Sequence, residues 1–304
     1  MAEIFQKALN MSIAAGWLIL AVIALRLLLR RAPKRFRLLL WAVVGLRLAL
    51  PWSIESALSL IPSAQTLPEG IMLERAPVLD TGISALNGAI NPGFTTAFTP
   101  ELGASANPLQ VLLPIAAALW MLGAAAMLLW ALVSYLSLRV RLWDSQHFEG
   151  RVYVSKRIGT AFVSGLIRPK IYLPENLSGR ERECVLAHER CHIRRGDHLI
   201  KPLAYIALCL HWFNPLVWLA WILAMRDMEA SCDEAAIKRL GGASRADYAQ
   251  TLLNLAAGRG ISLAVSLSFG DDTKRRIRAI ARIRPARRWI TVLAAVLSRR
   301  PSGS

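Results

Sequence analysis

The stretch AHERCHIRRGD, Ala187 to Asp197, sets His188 and His192 four apart, with Glu189 directly after the first histidine. On a helix, positions i and i+4 share a face, so both imidazoles reach one tetrahedral metal ion. Glu189 falls just beside that face, where a carboxylate can take a proton from a metal-activated water and pass it to a leaving amine. Glu181 to Leu186 carry helical apolar spacing, which puts the motif on a helix. A catalytic zinc also needs a third protein ligand and one open position. Downstream, RDMEASCDE, Arg226 to Glu234, again holds acids at i and i+4: Glu229 as third ligand, and Asp233 as acceptor for the N–H of a histidine. Asp227 and Glu234 are the alternative carboxylates. A site using Cys191 and Cys232 is the weaker alternative, because Cys191 at i+3 would replace a histidine and close the open position. His147, His198 and His211 fall outside the constellation.

These residues sit in a chain built largely for lipid. Of 304 residues, 55% are hydrophobic and ten are tryptophan. Asn10 to Leu29 is apolar except for Arg26 and is long enough to span a bilayer. Leu38 to about Leu50 follows the basic loop of Arg30, Arg31, Lys34, Arg35 and Arg37, which the positive-inside rule places in the cytoplasm, so the N-terminus faces outward. Arg47 inside this second span either orients it or makes an interhelical contact. Pro51 to Asn107 has loop composition and five acids against Arg75, which places it outside. Val111 to about Leu136 is a third span, closed by Arg139 and Arg141, and returns the chain to the cytoplasm ahead of the histidine motif. His198 to Met225 is apolar but broken at Asn214-Pro215; it is a helical hairpin that either meets the bilayer or packs in a core.

The net charge of +17 lies beside apolar runs, which suits membrane orientation and anionic lipid better than direct nucleic-acid binding. From Lys274 to Arg288 there are eight basic residues and no acid, with Ile277, Ile280 and Ile283 every third position; either a basic helix lies on the inner leaflet, ended by Pro285, or this is a solvated flank of the short apolar run Trp289 to Leu297. The four cysteines show no paired spacing and are expected to be reduced. Arg151 to Pro174 has short β-branched and aromatic runs broken by glycine and proline, a hairpin pattern.

Taken together, HERCH, EASCD and AFVSGLIRPKIYLP resemble the BlaR/MecR family of membrane zinc metallopeptidases, related to gluzincins. The resemblance implies a mainly α protein of polytopic membrane helices with a small α+β cytoplasmic gluzincin-like peptidase domain. It divides the chain into two N-terminal spans (1–51), an extracytoplasmic loop (52–107), a third span (108–137), a cytoplasmic zinc metallopeptidase domain (138–272) containing the membrane-associated hairpin 198–225, and a basic tail with a short apolar segment (273–304). By it, His188, His192 and Glu229 hold Zn²⁺, Glu189 is the general base and Asp233 the outer-shell partner. Ala161, Phe162, Val163, Ser164 and Gly165 are candidates for a strand that adds the substrate backbone. Sensors of that family carry a penicillin-binding domain with SxxK and KTG; neither motif occurs here, so the chain is either cut short or a sensorless relative. The expected substrate is a cytoplasmic regulatory protein such as a transcriptional repressor. The alternative is a non-catalytic membrane signal transducer whose zinc site holds the fold.

Overall fold

The computed structural model describes residues 1–29, 34–50, 66–68, 70–71, 74, 76–100, 108–241, 245–257 and 266–281; the side chains of 35, 257, 266–272 and 281 lie outside that description. Much of the basic loop after α1, most of 51–75, Ile283, Pro285 and the run Trp289 to Leu297 are therefore outside it too. The order of elements is α1 (Ala2–Leu28), α2 (Lys34–Ala49), α3 (Ser84–Phe98), α4 (Leu109–Arg141), β1 (Gln146–Glu149), β2 (Val152–Ser155), β3 (Phe162–Ser164), β4 (Lys170–Pro174), α5 (Gly179–Arg195), α6 (Asp197–Leu210), α7 (Pro215–Leu240), α8 (Arg245–Ala257) and α9 (Ser266–Ala281). The chain forms two compact units, one of 1–28, 39–135 and 203–224, the other of 29–38, 136–202 and 225–304.

In the first unit, α1 with 27 residues and α4 with 33 are long and apolar enough to cross a bilayer. They coincide with the first and third expected spans. The second differs: α2 starts earlier, at Lys34, yet its 16 residues fall short of the roughly 20 that a perpendicular crossing takes. Arg47 donates to the Leu50 carbonyl at 3.5 Å, at its own helix end. The core joins Ala15, Ile19 and Val22 of α1, Trp41, Val44 and Leu48 of α2, and Leu208, Val217 and Ala220 of the hairpin. Among the described residues, buried Asn10 exchanges two 2.9 Å bonds with Leu67, buried Gln6 Nε2 donates to the Pro68 carbonyl at 2.6 Å, and half-buried Asn214 Nδ2 donates to Ser12 Oγ at 2.8 Å. Asn214 Oδ1 also accepts from Leu216 N at 2.9 Å, which turns the hairpin at the break the sequence marked. Gly123 of α4 is a close-approach position. A Cβ there would run into the Trp212 ring, whose Nε1 donates to the Trp120 carbonyl at 3.1 Å.

Helix α3 arises where the composition suggested only loop. Asn87, Asn91 and Thr95, spaced four apart on one face, bond to the extended segment 77–81: Asn87 Oδ1 accepts from Thr81 N at 2.8 Å, Asn91 Oδ1 from Leu79 N at 2.9 Å, and Thr95 Oγ1 donates to the Pro77 carbonyl at 3.0 Å. Side chains that favour turns in isolation here zip a helix to a neighbouring strand of chain.

The second unit holds a four-stranded sheet of order β1-β2-β4-β3, parallel between β2 and β4 and antiparallel elsewhere. β3 is an edge strand paired with β4 through Phe162–Tyr172, Val163–Ile171 and Ser164–Lys170. Val152, Ile171 and Leu173 pack with Val185 of α5, and Ala161 and Val163 pack against the same cluster. A second cluster gathers Cys184 and Ala187 of α5, Ala236 and Ile237 of α7, Tyr248 of α8 and Ile280 of α9. All four cysteines are free, and Cys184, Cys209 and Cys232 are buried.

Candidate metal centre

Helix α5 starts at a capping box: Ser178 Oγ accepts from Glu181 N at 3.3 Å, and the Glu181 carboxylate accepts from Ser178 N at 2.9 Å. Arg180 forks onto Asp247 of α8 and Asn254 donates to Glu181, so α8 lies along the same turn. The buried face of α5 is Cys184, Val185, Ala187, His188, Glu189 and His192. The helix ends at Gly196, whose φ of 72° is left-handed and suits glycine. That reversal starts α6 at once and brings Asp197 back under His192.

The two Nε2 atoms face each other at 3.1 Å, with Glu229 Oε2 3.3 Å from His188 Nε2 and Oε1 3.5 Å from His192 Nε2. On the far side of each ring an acid waits. His192 Nδ1 lies 2.6 Å from Asp197 Oδ2; His188 Nδ1 lies 2.8 Å from the Tyr248 hydroxyl and 3.2 Å from Asp233 Oδ1. With Nδ1–H directed at an acceptor, each ring in its neutral form turns the lone pair of Nε2 inward. Two lone pairs and a carboxylate then share one point, an arrangement that repels itself unless a cation sits there. Ligands at about 2.0–2.2 Å around a tetrahedral ion lie about 3.3 Å apart, which these spacings match. The three residues therefore fit a divalent metal.

Charges around the point agree. Burial would lower the His188 pKa, but hydrogen bonds to Asp233 and Glu229 outweigh it and carry the group up to about 10. Burial would likewise raise Glu229 and Asp233; the two imidazoles and Lys201 hold Glu229 well below the usual carboxylate range, and Arg276 with His188 hold Asp233 below it. The pocket thus stabilises positive charge between anions.

Each residue expected at the site has a definite place. His188, His192 and Glu229 converge, and Asp233 stands behind His188. Glu189 is buried, 7% exposed, next along α5, and its carboxylate makes no hydrogen bond or ion pair to a described residue. Asp227 and Glu234 lie elsewhere: Asp227 pairs with Arg37 at 3.5 Å, and Glu234 with Lys238 at 3.5 Å. Cys232 Sγ sits 3.5 Å from Nδ1 of His192, on the ring edge already committed to Asp197, so the cysteine alternative would use the nitrogen that donates. His147 bonds to the Gly150 carbonyl on β1, His211 is buried against the Leu48 carbonyl, and His198 lies on α6, all apart from the cluster.

Four members went unassigned in the sequence. Asp197 stood at the end of the quoted motif, next to a helix-ending glycine, and that adjacency was its signal. Lys201, 3.1 Å from Glu229 Oε1, follows Asp197 by four. Tyr248 gave no signal. Arg276, bonded to Asp233 at 2.7 and 3.0 Å, lies in the basic run that the sequence leaves open between an inner-leaflet helix and a solvated flank.

Two known proteins are similar to this chain in sequence. The regulatory protein BlaR1 of Bacillus licheniformis is 31% identical over 224 residues, 62% of this chain and 37% of that protein. The methicillin resistance mecR1 protein of Staphylococcus aureus is 25% identical over 161 residues, 49% of this chain and 28% of that protein. The chain thus spans well under half the length of these curated relatives. A family model described as BlaR1 peptidase M56 matches residues 6–280, from the first helix through the last residues that pack behind the histidines, and the chain belongs to that peptidase family.

Proposed function

We propose that this chain is a multi-pass zinc endopeptidase of the bacterial cytoplasmic membrane, with a gluzincin-like catalytic unit on the cytoplasmic side. Its substrate is a regulatory protein, such as a transcriptional repressor, cleaved in response to a signal. The observation that carries this reading is the pairing of two inward Nε2 atoms and Glu229 with a buried carboxylate, Glu189, that has no bond to a described residue. When bound, zinc supplies Lewis acidity that acidifies water and polarises a carbonyl. His188, His192 and Glu229 would hold it, leaving one position open. Asp197 fixes the His192 ring by accepting from its Nδ1, and Asp233 fixes that of His188 from 3.2 Å and through the Tyr248 hydroxyl. Glu189 takes the proton of the attacking water and delivers it to the leaving amine. Lys201 offsets the charge of Glu229.

The β3 edge is the substrate track. β3 is bonded to β4 along one side, and Ala161 and Val163 anchor it in the cluster that includes Val185 and Leu186 of α5. Backbone groups of Ala161, Phe162, Val163, Ser164 and Gly165 would pair with an extended peptide, so binding depends little on side chains. Lipid contacts α1 and α4. No direct nucleic-acid contact is part of this reading.

Glu189→Gln tests it. The variant is expected to keep its zinc and lose cleavage by about 10²–10⁴-fold. Comparing new protein N-termini in cells that express wild type or the variant names the substrate. If the variant supports signalling as well as wild type, the chain is a non-catalytic transducer with a structural metal.

A further inference from the structure

Helix α9 divides its basic residues by direction. Lys274, Arg275 and Arg278 are exposed, whereas Arg276 and Ile280, one turn apart on a common face, turn inward. Ile280, 2% exposed, enters the cluster of Cys184, Ala187, Ala236, Ile237 and Tyr248 behind the motif helix. Arg276 lays its fork on Asp233, Nη2 to Oδ1 at 2.7 Å and Nε to Oδ2 at 3.0 Å, while Nη1 lies 3.9 Å from Glu229 Oε2. Asp233 Oδ1 also accepts from Tyr248 at 2.8 Å and faces His188 Nδ1 at 3.2 Å.

We infer that Arg276 is a positioning residue for the metal centre, through which the orientation of His188 and Glu229 depends on α9 being docked. A carboxylate only 3% exposed is costly without an ionic partner. The planar guanidinium engages both its oxygens and so fixes the plane of the group. Oδ1 then accepts from the Tyr248 hydroxyl, whose oxygen in turn meets Nδ1 of His188 at 2.8 Å, and Oδ1 itself faces that Nδ1 at 3.2 Å, so the ring's orientation follows the plane of the carboxylate. Without Arg276 the carboxylate can rotate away and leave both His188 and Tyr248 without a fixed acceptor. Ile280 supplies the apolar half of the same docking, so a displacement of α9 removes both at once. This inference rests on the reading of His188, His192 and Glu229 as metal ligands.

The test uses the full chain in detergent. Zinc affinity is measured by chelator competition, and ligand geometry by the visible absorption of the cobalt-loaded protein. R276Q is expected to weaken zinc binding by roughly 10–100-fold, in the range for groups that orient ligands, and to change the cobalt spectrum. R276K, which restores charge but not the fork, should recover only part. I280A should weaken zinc in the same direction, and the double variant should lose less than the product of the two factors, because both act through α9 docking. Wild-type affinity and spectrum in R276Q would overturn the inference, as would losses that multiply in the double variant. Should R276Q fail to melt cooperatively, R276K decides: an altered cobalt spectrum supports the role, and an unchanged one overturns it. A wild-type chain that takes up neither metal would instead overturn the metal assignment on which all this rests.

Discussion

The two units bury polar groups by opposite means. In the unit of α1, most of α2 and the hairpin tip, buried Gln6 and Asn10 and half-buried Asn214 are neutral, and they bond to backbone groups or to Ser12. In the unit that carries α5, buried ionisable groups are tied to half-buried arginines in chains of charge: Arg195 to Asp197 to His192, and Arg276 to Asp233 to His188. The difference follows from what each must do. A neutral amide that meets a carbonyl recovers its desolvation cost without any long-range field. A charged relay costs more to bury and is justified where a cation has to be held at one point with its ligands aimed at it.

The sharpest way to break that contrast is to remove an end of the relay. His192→Ala should take the metal content from about one ion per chain to none, since two imidazoles supply half of a tetrahedral shell. Asp197→Asn should keep the ion but weaken its binding by roughly 10–100-fold, because the amide replaces a charged acceptor for Nδ1–H with a neutral group. Both are read by metal analysis of the purified chain; full occupancy in His192→Ala would remove the relay's reason to exist. In the other unit the corresponding stress is steric. Gly123→Leu drives a side chain into the Trp212 ring and should destabilise by about 1–3 kcal/mol in a detergent unfolding titration, with the cobalt spectrum unchanged. A spectrum that moved with Gly123→Leu would show that the neutral packing also sets the ligands.

The smallest expected effect is on acidification of the metal-free chain. Arg276 and His188 hold the Asp233 carboxyl below its unfolded value of about 3.9. Its ionised form therefore favours the fold, a contribution present above about pH 3.9 and lost as pH falls through the lower folded pKa. Hydrogen exchange on α7 and α8 should speed up across that interval, while the bonds between Asn10 and Leu67, which carry no titrating group, should hold. Equal loosening of both would mean that acid acts on the whole fold rather than on the relay.

Much was legible in the sequence, and for identifiable reasons. Helical spacing is local, so His188 and His192 declared their shared face, and Glu229 and Asp233 theirs, before any tertiary contact was known. Length and apolar content marked α1 and α4, and Asn214-Pro215 marked the hairpin turn. Helix α3 escaped because its asparagines carry turn propensity, and only the neighbouring segment 77–81 converts that propensity into helix-supporting bonds.

What tertiary structure alone decided is the company each candidate ligand keeps. The sequence could offer Glu229, Asp227 or Glu234 as third ligand; packing put Asp227 on Arg37 and Glu234 on Lys238 and left Glu229 facing the imidazoles. It likewise drew Tyr248 and Arg276 to one carboxylate from helices whose patterns show solvent and lipid preference but no hint of a partner. The physical reason is range: periodicity reports which residues share a face, whereas pairing of buried charges depends on which faces meet, and that is settled only when apolar positions such as Cys184, Ile237 and Ile280 close into one core.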